Sequence, residues 1–344
     1  MSILFLRMRF LNCSPGSPLH GLSTIVLEND LLRIVVLPEA GARLWQITYK
    51  PLASDLLWNN PALPPSRQFL HASYDDTWSG GWDELFPNDE AARLGALDLP
   101  DHGELWTSEW QAQPFHHEDA AGVRMRAETP LSRFLVEKTL VLNSADAVLK
   151  IEYRLTNHGP NAFPFLWKLH PAFAVSPQHR IDFPRMTVVR EPEFEGTLAG
   201  APAVFAWPCV SIDDAVLDLR QVPEVSSRAL YFFYGTELAA GWCGVTNQEN
   251  HLAAALRFDP EVFTSCWLFA TYGGWRDLNV AVLEPATGYP FRMPTMIDEG
   301  RAHWLAPGES LATTVLFSVQ EGLTSIGGVQ ADGRILSAEG RSGG

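Results

Sequence analysis

The chain is short of cysteine, of positive charge and of long apolar runs, and each shortage removes a class of function. Its four cysteines, Cys13, Cys209, Cys243 and Cys266, form no C-x-x-C pair and have no companion histidine at metal spacing. That argues against a disulfide scaffold or a zinc site and for reduced, mostly buried thiols in a cytoplasmic protein. Lysine and arginine number 25 against 40 aspartates and glutamates, so a net charge of -15 would repel a phosphate backbone, and no basic run offsets it. Nucleic acid is therefore not an expected partner. The opening MSILFLRMRF is apolar only until Arg7 and Arg9 interrupt it, which predicts neither a signal peptide nor a membrane span. Also missing is any long stretch with a 3.6-residue apolar stripe.

What replaces that stripe is period-two alternation. In VLKIEYRLTN, Leu149, Ile151, Tyr153 and Leu155 share one face while Lys150, Glu152, Arg154 and Thr156 share the other, as in a half-buried antiparallel strand. Similar runs occur at Leu31 to Leu37, Ala42 to Tyr49, Phe134 to Leu142, Leu252 to Phe258, Phe263 to Ala270 and Thr313 to Val319. Clusters of Pro, Gly, Asn and Asp separate them, the grammar of short strands joined by turns. With no composition break and no internal repeat, the pattern predicts an all-β chain: one large antiparallel β-sandwich over residues 1–321. Residues 322–344 are small, Gly-rich and weakly patterned, and are expected to form a flexible C-terminal tail.

Three ionisable residues stand in settings that a plain core strand would not choose. His102 lies in PDHGELW, between a Pro-Asp turn signal and a glycine. His170 ends an apolar run at His-Pro in FLWKLHPAF, and Glu284 ends another at Glu-Pro in NVAVLEPATGYP. Proline forces the preceding residue into extended conformation and cannot donate to a following ladder, so His170 and Glu284 belong at strand ends or edges, positions that suit groups pointing into a cleft. Taken singly, each has a plainer counterpart: a hydrogen-bonded structural histidine, or a solvated turn glutamate.

Taken together, these segments carry a resemblance. Gly41 to Arg43, GGWDELFPN, the His-Gly of DHGELWTSEW, LHPAF, LRFDPEVF with SCWLFATYGG, and VAVLEPATGYP fall in the order seen in aldose 1-epimerases. The chain resembles the galactose mutarotase-like superfamily from roughly Leu27 to Val319. The resemblance implies a β-sandwich whose concave sheet binds a monosaccharide, with Glu284 as the base at O1, His170 as the acid at O5 and His102 hydrogen-bonding near the ring oxygen. Such chemistry removes the O1 proton and protonates the ring oxygen, and needs no cofactor.

The aromatic content fits the same expectation, since sugar rings present apolar C–H faces as well as hydroxyls. Trp82, Trp106, Trp110, Trp242, Trp267, Trp275 and Tyr272 are candidates for the cleft wall, although with 12 tryptophans most must be core. Asp83 or Glu84 could accept from sugar hydroxyls or be solvated loop acids, and Arg43 could reach the cleft or pair with a neighbouring acid. Asp75, Asp76, Asp83, Glu84, Asp89 and Glu90 match no EF-hand spacing, so they are read as surface acids and no metal is expected.

The pattern also departs from relatives. Hexose-6-phosphate epimerases of this superfamily usually carry an arginine where Trp106 stands, which favours a free sugar over a sugar phosphate. The expectation is an aldose 1-epimerase, monomeric or homodimeric. The alternatives are a non-catalytic carbohydrate-binding protein on the same fold and, further off, a lyase or hydrolase, for which only Glu284 is a convincing carboxylate.

Overall fold

Alternation along the strands sorts side chains onto two layers, and a computed structural model of the chain shows how. It describes residues 10–194 and 196–338. One layer is a 12-stranded sheet that runs, in spatial order, Leu11–Pro15, Ile25–Asn29, Leu32–Leu37, Arg43–Tyr49, Trp82–Leu85, Lys168–Phe173, Asn279–Ala286, Ser265–Tyr272, Ala229–Thr236, Thr187–Arg190 and Val204–Ala206, with Ser54–Asp55 paired beside Arg43–Tyr49. The other is an eight-stranded sheet: His179–Asp182, Trp242–Asn247, Leu252–Arg257, Ser310–Glu321, Val148–Asn157, Phe134–Asn143, Ala120–Glu128 and Gln111–His116. All the pairings in both are antiparallel. The expected all-β, antiparallel architecture is thus the observed one.

The main core lies between the sheets. Leu27, Ile34, Leu44 and Leu283 from the first meet Val123, Leu140, Ile151 and Phe317 from the second in one buried cluster. The short strand Trp82–Leu85 shows how the period-two rule assigns faces. Trp82 faces the second sheet, its ring 6.0 Å from that of Phe317. Glu84 points the same way, so its carboxylate is buried between the layers. Lys138 of the second sheet reaches it at 2.8 Å, and Tyr153 donates to it at 2.6 Å. Asp83 and Leu85 turn to the outer face of the first sheet.

The C-terminal segment differs from the expected free tail as far as residue 338. Leu323, Ile326 and Ile335 are buried against Trp242, Ala253 and Ala255 on the outer face of the second sheet, and Gly328–Val329 pairs with Ile335–Leu336. Two side chains fasten it: Asp182 accepts from the backbone N–H of Ile326, and Gln320 exchanges two hydrogen bonds with the backbone of Ile335. The physical reason is Trp242, whose apolar surface would otherwise face water. Residues 339–344 lie outside the described part.

Candidate active site

On the outer face of the 12-stranded sheet, opposite Trp242, lies a cavity of about 290 Å³. Its floor comes from neighbouring strands. Lys168 and His170 are two residues apart on Lys168–Phe173, so both point outward while Leu169 between them enters the core. Glu284 does the same on the adjacent strand, with Leu283 in the core. His102 arrives from the loop after Leu97–Leu99. Its φ of 58° lies in the left-handed region, unusual for a residue with a Cβ, and the following Gly103 has φ of 74°. A Cβ on Gly103 would strike the Phe86 carbonyl, so only glycine lets this loop press against the strand end. Glu104 then anchors it, accepting from the backbone N–H groups of Leu131 and Ser132.

The cavity therefore collects all three residues singled out as catalytic candidates, His102, His170 and Glu284, together with Trp275. It also collects residues that sequence reasoning missed. The largest omission is Lys168, 3% exposed, whose Nζ lies 2.6 Å from Glu284 and 2.7 Å from Asp89. The carboxylate and the ammonium form a buried ion pair there, and Lys168 lowers the Glu284 pKa through both its charge and a hydrogen bond. The Nζ also sits 4.3 Å above the ring of Trp267. A signal was present: a lysine inside the apolar run FLWKLHPAF, on the same face as His170.

Tyr74, on the single helical turn Tyr74–Thr77, is the second omission, and nothing in its sequence setting announced it. Its ring stacks on His102 at 4.1 Å and meets His170 edge-on at 5.6 Å. Its hydroxyl is 3.0 Å from Asp83 and 3.1 Å from His170 Nδ1. A carboxylate is the stronger acceptor, so the hydroxyl proton goes to Asp83. His170 Nδ1 then carries a proton and donates to the tyrosine oxygen, which leaves Nε2 as the nitrogen for a ligand.

Asp83 and Arg43 stand behind this wall rather than in it. Arg43 donates to Asp83 at 2.7 Å and also bonds Ser79, and both side chains are buried. Their expected place as sugar contacts is corrected to that of a buried pair holding Tyr74, because the strand puts Asp83 within hydrogen-bond reach of the tyrosine hydroxyl. Trp82 faces the inter-sheet core and Trp242 lies on the far side of the molecule, so neither lines the cavity. Trp106 is likewise set back: it packs edge-on against Tyr74 at 5.0 Å and donates to the Asp101 carbonyl. Trp110 and Tyr272 belong to the main core. Among the acids read as surface groups, Asp83, Glu84 and Asp89 are buried.

Electrostatics separate the two imidazoles. Burial lowers the pKa of His170, and the nearby cations Lys168, His102 and Arg43 push it further, to well below the usual value, so this ring is neutral. For His102, burial pulls down too, but the charge of Asp89 and the hydrogen bond His102 donates to Asp101 outweigh it and the pKa ends raised. Glu284 is raised by burial, and Lys168 only partly restores its acidity. The opposite wall is apolar, built from Phe194, Phe232, Phe269, Phe291 and Trp275. Among the described residues, no group of three or more His, Cys, Asp or Glu could hold a metal ion, and no helix is long and apolar enough to cross a membrane.

No family model and no curated protein sequence matches the chain. Solved structures do. The Slr1438 protein from Synechocystis superposes with a TM-score of 0.66 at 18% identity, covering 91% of this chain and 100% of that one. A galactose mutarotase-like protein from Clostridium acetobutylicum gives 0.64 at 11% identity, covering 91% and 99%. A galactose mutarotase related enzyme from Lactobacillus acidophilus gives 0.60 at 12%, covering 87% and 97%. At such identities the likeness is one of architecture: the chain has the galactose mutarotase-like fold.

Proposed function

We propose that this protein is an aldose 1-epimerase, interconverting the α and β anomers of a free monosaccharide. The observation that carries the reading is the meeting, in one cavity, of a buried carboxylate of raised pKa with two imidazoles whose surroundings shift their pKa values in opposite directions. Ring opening needs a base and an acid at once, and groups with unlike environments divide that work. Glu284 takes the proton from O1–H, the C1–O5 bond breaks as O1 becomes a carbonyl oxygen, and O5 receives a proton. Rotation about C1–C2 exposes the other face, and reclosure returns both protons.

Two histidines line the cavity, and we assign to His102 the acid role first expected of His170. His102 is the one whose carboxylate neighbours favour its protonated form, whereas His170, its pKa depressed and with Nε2 as acceptor, suits a substrate hydroxyl. The apolar wall suits the C–H face of a pyranose. A phosphate dianion is disfavoured, because Asp75, Asp89, Glu90, Asp101, Glu193 and Glu284 surround the cavity with negative charge.

Polarimetry on freshly dissolved α-glucose, α-galactose and a panel of pentoses and deoxysugars tests the reading. The wild type should accelerate the drift to equilibrium, and Glu284→Gln and His102→Gln should lose that acceleration. A carbohydrate-binding protein would bind a sugar yet leave the drift at its rate in buffer, with the substitutions indistinguishable from wild type.

A further inference from the structure

The cavity wall carries a chain of alternating charges that the acid–base scheme does not by itself require. From the floor outward, Glu284 contacts Lys168 at 2.6 Å, Lys168 contacts Asp89 at 2.7 Å, Asp89 lies 3.4 Å from His102 Nε2, and His102 Nδ1 lies 2.8 Å from Asp101. Side-chain exposure rises along it from 2% at Glu284 through 4%, 7% and 19% to 35% at Asp101, so the chain links the cavity floor to the open rim. Asp89 is its centre. Each of its two oxygens holds a different cation, Oδ2 the ammonium and Oδ1 the imidazole.

We propose that Asp89 is a positioning residue which, through Lys168, couples the base Glu284 to the acid His102, so that both ends of ring opening share one electrostatic setting. This rests on the epimerase reading for its purpose, but not for its geometry. The coupling acts in the useful direction. When Glu284 accepts the O1 proton it becomes neutral, and a negative charge that had favoured the His102 imidazolium is gone. Lys168 is left with Asp89 as its one anionic partner, which weakens the hold of Asp89 on His102. The imidazolium is then a stronger acid at the moment O5 needs its proton. The 3.4 Å contact is the longest in the chain and is the one a ring oxygen can displace.

The groups facing His102 are Asp89, Asp101, Lys168, Asp75, His170, Glu284 and the stacked Tyr74. Those facing Glu284 are Lys168, Asp89, His102, Tyr74 and Cys266. Glu90 and Tyr234 also sense Asp89. Within this set, Asp89 raises both His102 and Glu284, whereas Lys168 lowers both. The two substitutions therefore have opposite signs. Removing the charge of Asp89 should move both limbs of the pH profile for kcat/KM to lower pH, and removing that of Lys168 should move both to higher pH.

The test is NMR titration of the His102 imidazole, assigned by its loss in His102→Gln, in wild type, Asp89→Asn and Lys168→Met, with the pH profile of anomer exchange measured beside it. In Asp89→Asn the His102 pKa should fall by about one unit, the low end for an opposite charge at this range. In Lys168→Met it should rise, and the profile should follow in each case. An unchanged His102 titration in both variants, or a shift of the same sign in both, would overturn the proposal. A merely structural role gives no reason for opposite signs, and either variant decides the matter if the other does not fold. If even the wild type fails to exchange anomers, the epimerase reading falls while the titration still decides whether Asp89 couples the two groups.

Discussion

Glu84 and Glu284 make an instructive pair. Each is 1% exposed and each has a lysine ammonium within 2.8 Å. Glu84 is closed on every side: Lys138 meets both its oxygens, Tyr153 donates to one of them, and Lys138 is itself spent on Glu84 and the Ala42 carbonyl. Glu284 faces a cavity, and its lysine is shared with Asp89. Burial raises both carboxyls. The difference lies in access and in how fully the oxygens are bonded, so a buried, perturbed carboxylate indicates chemistry only where a substrate can reach it.

Four substitutions break or sharpen this contrast. Glu284→Gln has the largest expected effect: anomer exchange should fall by about 10²–10⁴-fold, the usual worth of a general base. Its thermal stability should stay near wild type, because Lys168 keeps Asp89. At Glu84 the pattern inverts. Lys138→Met strands a carboxylate between the sheets and should cost about 3–5 kcal/mol in denaturant unfolding, while the rate per folded molecule stays close to wild type. Asp83→Asn lies between the two, since it loosens Tyr74 and with it the orientation of His170. A drop of about tenfold in kcat, with KM little changed, is the outcome expected of misplaced catalytic groups. Trp275→Ala removes only part of the apolar wall. It should raise KM by about three- to tenfold, in keeping with about 1 kcal/mol of aromatic contact, and leave kcat almost untouched.

The pH profile carries the same contrast. The proposed scheme requires Glu284 ionised and His102 protonated, and both pKa values are displaced upward. Activity should therefore rise through the raised Glu284 pKa, above the ordinary carboxylate range. It should fall through the raised His102 pKa, above the ordinary imidazole value. A profile set instead by His170, whose pKa is depressed, would lose its basic limb at much lower pH.

Strand periodicity alone predicts the β-sandwich, because alternation survives in a half-buried sheet whatever its partners are. His170 and Glu284 are visible because each interrupts an apolar run at a proline, and His102 because a turn signal and a glycine flank it. What stayed hidden depends on facing rather than on type. Nothing local separates Asp83 from Glu84, yet the pleat sends one to the Tyr74 hydroxyl and the other to Lys138. Trp82, Trp106 and Trp242 have the composition of a sugar platform, but burial between sheets, behind Tyr74 or beneath residues 322–338 is a matter of tertiary contact. The docked C-terminal segment escaped notice because its strands are only two residues long, too short for any period to register.

We propose that Glu284, and not the enclosed Glu84, exchanges protons with a sugar hydroxyl. Saturation transfer between the α and β H1 resonances of an equilibrated aldose measures that exchange directly, with no net reaction to follow. Wild type and folded Lys138→Met should transfer saturation faster than buffer does, and Glu284→Gln should match buffer. Equal transfer by wild type and Glu284→Gln, across a panel of aldoses, would contradict the account.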